Sequence, residues 1–90
     1  MKLIFRNHAL KRMFERSIEI EDVKQIIETG KIIHDYPEDQ PYPSYLLLGW
    51  KNNMPLHVVC ADNELNETII ITAYNPDPFI WNKDFTRKIL

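Results

Sequence analysis

The hydrophobic pattern of this chain changes period at Gly30, and that change decides the fold class. Before it, apolar residues recur at helical spacing: Leu10, Met13 and Phe14 in one segment, then Ile20, Val23, Ile26 and Ile27 in the next. After it, short apolar runs are separated by turn-forming residues, which is the pattern of strands. The spacing predicts a first helix over about Asn7–Arg16, with Asn7 as its N-cap. A second is predicted over about Ile20–Thr29, with Glu19, Glu21 and Asp22 complementing the dipole at its start. Gly30 falls where a helix ends. Lys2–Arg6 reads as a short extended arm.

Four strands are predicted beyond Gly30: Lys31–Tyr36, Tyr45–Trp50, Pro55–Ala61 and Thr68–Tyr74. The loop PEDQPYP (37–43) follows the first, and turns at Lys51-Asn52-Asn53 and Asp62–Asn66 close the second and third. The short connections imply an antiparallel meander. NPDP at 75–78 stops the sheet, because proline cannot donate to the ladder. The tail FIWNKDFTRKIL is expected to form a short helix with Ile80, Trp81 and Phe85 turned inward, leaving NPDPFIW a rigid exit from the sheet. The fold class is therefore α+β: two N-terminal helices on one face of an antiparallel sheet of about four strands, closed by a short C-terminal helix.

Ninety residues make one domain, 1–90, with a single modest core. The longest apolar runs are too short to cross a bilayer, and MKLIFRNH lacks the layout of a signal peptide. One cysteine, Cys60, excludes an internal disulfide and points to a reducing cytoplasm. The net charge of −2 hides an asymmetry: Lys2–Arg16 holds five basic residues and one acid, Glu19–Asp39 holds seven acids, and Lys83, Arg87 and Lys88 return the tail to positive. The two ends thus form a local basic patch rather than an overall nucleic-acid-binding charge. His8, His34 and His57 are far apart and no HExxH or CxxC occurs, so no metal site is expected. With only Gly30 and Gly49, no glycine-rich phosphate loop exists, and no cofactor is expected.

His8, Arg12 and Arg16 stand four residues apart on the first helix. Cleaving RNA through its 2′-hydroxyl needs a group that moves protons near neutral pH and a cation for the pentavalent phosphate, roles that suit histidine and arginine. The same ridge also fits a solvated face, with Arg12 paired to Glu15 or to an acid of the second helix. His57 interrupts an apolar strand, where it needs exposure or a partner. It shares a side with Val59 and Ala61, and Tyr74 is expected on the side of Thr72 and Ile70. If that side faces the ridge, His8, His57 and Tyr74 share a concave site; otherwise His57 bonds a neighbouring strand and Tyr74 is core or rim. Lys11, Arg87 and Lys88 are the candidate RNA-backbone contacts. Cys60 reads as a buried small hydrophobe.

HALKRMFERSIEIEDV, PYPSYLLLG, PLHVVCA and ITAYNPDPFIW, in that order, resemble the domain-of-unknown-function family 4258. That resemblance implies a RelE-like fold and the toxin of a type II toxin–antitoxin pair, a metal-independent endoribonuclease acting on messenger RNA, including ribosome-bound messenger RNA. It also implies a small antitoxin partner, one kind of which carries a CxxC zinc finger. On this reading, truncating His8 or Arg12 abolishes activity and spares the fold. A noncatalytic protein- or RNA-binding module using the basic first-helix face is the alternative.

Overall fold

A computed structural model describes residues 2–89. The order of elements is β1 (Lys2–Phe5), α1 (Asn7–Glu15), α2 (Ile20–Thr29), β2 (Lys31–Tyr36), β3 (Ser44–Lys51), β4 (Met54–Asp62) and β5 (Glu67–Tyr74). The strands form one sheet in the order β1-β5-β4-β3-β2, antiparallel from β2 to β5. β3 and β4 are joined through Asn52 and Asn53, both at positive φ (49° and 66°). Asparagine tolerates that conformation, and a two-residue turn of this kind matches the twist of a hairpin.

The helices cover one face, α1 over β5 and α2 over β3 and β4. Ala9 and Met13 of α1 and Val23 and Ile26 of α2 meet Leu47, Leu56, Val58, Cys60, Ile70 and Ala73 of the sheet. Removing a side chain such as Met13 or Ile26 from water contributes roughly 1.5–3 kcal/mol each. Gly49 lies beneath Ile26, and a Cβ there would run into that side chain. Gly30 ends α2 at an ordinary φ of −75°. Its need for glycine is close approach, because a Cβ would sit 2.7 Å from the Ile26 carbonyl oxygen and 2.9 Å from that of Leu48.

α2 is anchored at its start by a capping box between Glu19 and Asp22. The Glu19 N–H donates to Asp22 at 2.9 Å, and the same buried carboxylate pairs with Lys51 at the end of β3. Burial pushes the Asp22 carboxyl up, but Lys51 and the Glu19 N–H outweigh it and hold the group below its ordinary value. α1 has no such cap. It begins at Asn7 with Arg6 as N-cap residue and no side-chain cap bond, rather than with Asn7 as the cap. Phe14, expected on the inner stripe, is 87% exposed.

The sequence-based layout is corrected in three respects. The sheet has five strands and is mixed, because Lys2–Phe5 is not a free arm: it pairs in parallel with β5 from Lys2↔Glu67 to Phe5↔Ile70. Leu3, Ile4 and Phe5 are half-buried there, and Lys2 forms an ion pair with Glu67 at 3.4 Å. The short C-terminal helix does not exist. One turn at Asp77–Trp81 leads into an irregular hairpin closed by a bridge between Trp81 and Lys88. The reason is local: Asn82 Oδ1 accepts the N–H groups of Thr86 and Arg87, and Asp84 takes the Thr86 hydroxyl. Side chains of this kind compete with helical hydrogen bonds and win here. Trp81 is buried and Phe85 half-buried as expected, but Ile80 is largely exposed. The RelE-like description, which the family resemblance implied for a four-strand antiparallel sheet with a closing helix, has no support in this five-strand mixed sheet without that helix.

Candidate functional site

The sheet face opposite the helices carries the polar groups. His57, Val59 and Ala61 of β4 lie there, in register with Leu48, Leu46 and Ser44 of β3. On the other side His57 pairs with Tyr74 and Val59 with Thr72. A bulge shifts the register by one residue between Thr72 and Ile70, so Ile70 points to the helices while Thr72 and Tyr74 join His57. The sequence-based grouping of Tyr74 with both Thr72 and Ile70 is thereby split.

His57 is wholly buried, and both ring nitrogens are engaged. Nε2 lies 2.9 Å from the Phe85 carbonyl oxygen, and Nδ1 lies 3.2 Å from the Tyr74 hydroxyl. A carbonyl only accepts, so Nε2 carries the hydrogen, and Nδ1 accepts the Tyr74 O–H. Burial holds the His57 pKa below its ordinary value, reinforced by His34 and opposed by the Phe85 carbonyl. Burial also raises the Tyr74 phenol, with Tyr36 adding to the effect and Arg16 opposing it. Both shifts favour a neutral pair: a phenol with its proton beside an imidazole able to take it.

The C-terminal hairpin covers His57 and leaves Tyr74 half-buried. The Trp81 ring stands edge-on to His57, centroids 4.4 Å apart at 86°, and tilts against His34 at 6.3 Å. His34 of β2 bonds through Nε2 to the carbonyl of Thr86 at 2.9 Å, next in the chain to the one that holds His57. His34 also stacks on Tyr36, and the Phe85 ring packs edge-on to Trp50. Asn75 ties the sheet exit to the Pro55 carbonyl, so NPDP is a structured corner.

The α1 ridge meets this face only at its last member. Each step of four residues rotates by about 40°, so a ridge that ends against the sheet begins facing away from it. Arg16 donates to the Thr72 hydroxyl at 3.2 Å and to the Ala73 carbonyl at 2.9 Å, beside Tyr74. Arg12 is exposed and pairs with Glu15 at 3.3 Å. His8 and Lys11 are exposed, and among the described residues no hydrogen bond, ion pair or ring contact joins His8 to His57 or Tyr74. In the tail, Arg87 is exposed and Lys88 lies over the Trp81 ring at 6.0 Å.

A cavity of about 310 Å³ opens at Arg16, lined also by Asp22, Lys51, Asn52, Met54 and Asn75. A larger concavity, about 710 Å³, lies elsewhere, between β1 and α2, lined by Leu3, Phe5, Ile20, Lys24, Ile27 and Glu28. Cys60 is wholly buried and its thiol is pushed up to about 11 by that burial, so it is no nucleophile. Among the described residues no three His, Cys, Asp or Glu side chains gather as metal ligands. No helix among them is long and apolar enough to span a membrane. Of the residues singled out in the sequence, the structure joins Tyr74 to His57 and bonds Arg16 to Thr72 and Ala73 of the same strand. Sequence reasoning did not pick out the Phe85 carbonyl, which no side-chain pattern encodes, or Tyr36, the aromatic that ends β2 on the same face.

Neither the curated proteins nor the solved structures provide a match to this chain. The model of one family, the domain of unknown function DUF4258, matches residues 5–75, which takes in His57, Tyr74 and Arg16 and stops before the C-terminal hairpin. With 71 of 90 residues inside that match, the chain belongs to the DUF4258 family.

Proposed function

We propose that this chain is a metal-independent endoribonuclease acting on messenger RNA, the toxin of a type II toxin–antitoxin pair. The observation that carries the reading is the Tyr74 hydroxyl, bonded to a neutral His57, with the Arg16 guanidinium held by Thr72 and Ala73 of the same strand. In the reaction, the RNA 2′-hydroxyl gives its proton to the Tyr74 oxygen as Tyr74 passes its own to Nδ1 of His57. The 2′ oxygen attacks phosphorus, the bond from phosphorus to the 5′ oxygen breaks, and a 2′,3′-cyclic phosphate forms. The departing 5′ oxygen takes a proton from solvent, and His57 returns its extra proton to solvent through Tyr74. Arg16 stabilises the charge on the phosphorane; only its NH1 is committed to the sheet. His8, Lys11, Arg12, Arg87 and Lys88 are exposed cations and imidazole available to an RNA backbone. An uncovered toxin harms its host, so a small antitoxin, with or without a zinc finger, occupies the basic face in the cell.

The test is incubation of the purified chain with a single-stranded RNA oligonucleotide in excess EDTA. Fragments ending in a 2′,3′-cyclic phosphate are expected, and a 2′-deoxy substrate is expected to survive. Induced expression should arrest growth and degrade messenger RNA, and coexpression with the neighbouring gene should restore growth and yield a complex. Intact RNA and unaffected growth would sink the proposal. A second reading, the noncatalytic RNA- or protein-binding module, is favoured by the complete burial of His57. It predicts RNA that is bound and left whole.

A further inference from the structure

The C-terminal hairpin does more than cover apolar surface. Two consecutive carbonyls, those of Phe85 and Thr86, each receive a histidine Nε2 at 2.9 Å, from different strands. Phe85 holds its place at φ 61°, a left-handed conformation costly for a bulky residue and kept only where its surroundings enforce it. The enforcing groups are visible. Asn82 Oδ1 accepts from the Thr86 N–H at 2.9 Å and from the Arg87 N–H at 3.3 Å, and the Asn82 N–H donates to the Arg87 carbonyl at 2.8 Å. Asp84 accepts the Thr86 hydroxyl at 2.6 Å. An apolar lid over an apolar sheet would need neither the bent residue nor the aimed carbonyls.

We propose that residues Trp81–Lys88 are the positioning element of the Tyr74–His57 pair, with Asn82 the positioning residue that aims the Phe85 carbonyl at Nε2 of His57. The aim matters because imidazole has two neutral tautomers. Only the one with hydrogen on Nε2 leaves a lone pair on Nδ1 for the Tyr74 proton; the other makes Nδ1 a donor to the Tyr74 oxygen and sets the Nε2 lone pair against the Phe85 carbonyl oxygen. This inference rests on the catalytic reading for its effect on rate, but the tautomer is measurable without any RNA.

The experiment is two-bond ¹H–¹⁵N spectroscopy of the histidine rings in the full ¹⁵N-labelled chain, beside steady-state cleavage of the RNA oligonucleotide. The unmodified chain should show His57 as a single tautomer protonated at Nε2. Asn82→Ala should mix the two tautomers and lower kcat on the order of 10²-fold, the scale of a small misplacement, with KM little changed. Asn82→Asp keeps the accepting oxygen and should restore both readouts. Should Asn82→Ala fail to fold, Asp84→Ala, on the exposed side of the hairpin, loosens the same carbonyls and should shift the tautomer ratio in the same direction. A single Nε2 tautomer retained in the loosened variant would overturn the proposal, as would a rise in kcat, which would make the hairpin an inhibitory cover. If the unmodified chain cleaves no RNA, the catalytic reading fails, while the tautomer measurements still decide the positioning role.

Discussion

Removing one oxygen tests the proposed chemistry most directly. Tyr74→Phe keeps the ring, with its edge contact to His57 at 5.2 Å, and deletes only the hydroxyl that bonds Nδ1. A buried acceptor left unpaired costs about 1–3 kcal/mol. Here the lower end applies, because the bond is long at 3.2 Å and Tyr74 is only half-buried, so water can follow the missing group. In a chain of this size about 1 kcal/mol lowers Tm by roughly 4–8 °C. Starting from a stability of about 5 kcal/mol or more, such a loss leaves nearly every molecule folded at 25 °C. Loss of a proton-transfer group, by contrast, slows the chemical step by about 10²–10⁴-fold. The two effects separate when a thermal melt is run beside the RNA-cleavage assay. A Tyr74→Phe protein that melts a few degrees low and cleaves within about threefold of the parent would refute the relay, whatever the activity of the parent.

The buried neutral His57 makes stability depend on pH. Its folded pKa lies below the ordinary 6.5, so the unfolded chain takes up the proton first as pH falls. Stability is full above about pH 6.5 and declines below it, by at most about 1.4 kcal/mol per pH unit, until the lowered folded pKa is passed. Urea midpoints between about pH 5 and 7 should show this slope, and His57→Gln should flatten it. Gly49→Ala forces a methyl group into the side chain of Ile26 and should destabilise by about 1–3 kcal/mol, read as a lower urea midpoint with unchanged slope. His8→Ala and Arg12→Ala touch exposed side chains and should leave Tm within about 2 °C. Their cost should appear in RNA affinity, with the salt dependence of binding weakened by about one unit for Arg12→Ala and kcat retained.

The helices and β2 to β5 were legible because each is marked locally, the helices by an apolar stripe and the strands by short apolar runs bounded by turn residues. Helical spacing in Ile20–Ile27 and the asparagines at 52 and 53 announce their structures locally. β1 was not legible. Its four residues become a strand only because β5 leaves an edge free, and that partner lies more than sixty residues away in the chain. The tail failed for the opposite reason: Ile80, Trp81 and Phe85 carry a helical period, but Asn82, Asp84 and Thr86 take the backbone hydrogen bonds that a helix requires. A period in apolar residues says which side chains go inward and not which backbone delivers them. Of the basic ridge, the residue types and spacing were visible. The 40° drift that leaves only Arg16 on the sheet follows once Ala9 and Met13 are known to be buried.

One residue of slippage decides whether this molecule has a site. With regular pleating through β5, Ile70, Thr72 and Tyr74 share a face, and alternation cannot send Ile70 into the core while Tyr74 meets His57 on the other side. The register break at Ile71 resolves the conflict: Ile70 and Ala73 both reach the helices, and Thr72 and Tyr74 both turn to the opposite face. The same break brings the Thr72 hydroxyl and the Ala73 carbonyl to the Arg16 guanidinium at the end of α1. Bulges recur beside active sites because they re-aim a side chain without dismantling the sheet. Here the re-aimed side chain is Tyr74, whose hydroxyl donates to the Nδ1 lone pair of His57 in a strand that also holds the Arg16 guanidinium. Ile71 itself is left largely exposed, which is how a packed core accommodates the extra residue. Deleting Ile71 removes the extra residue and leaves Ile70 opposite Cys60, Thr72 opposite Val59 and Tyr74 opposite His57 in a regular ladder. A protein shortened in this way should form its helices and sheet by circular dichroism and keep both the His57–Tyr74 hydrogen bond and RNA cleavage. Loss of the two together in the shortened protein would show that the bulge itself, and not the pairing on either side of it, sets where Tyr74 points.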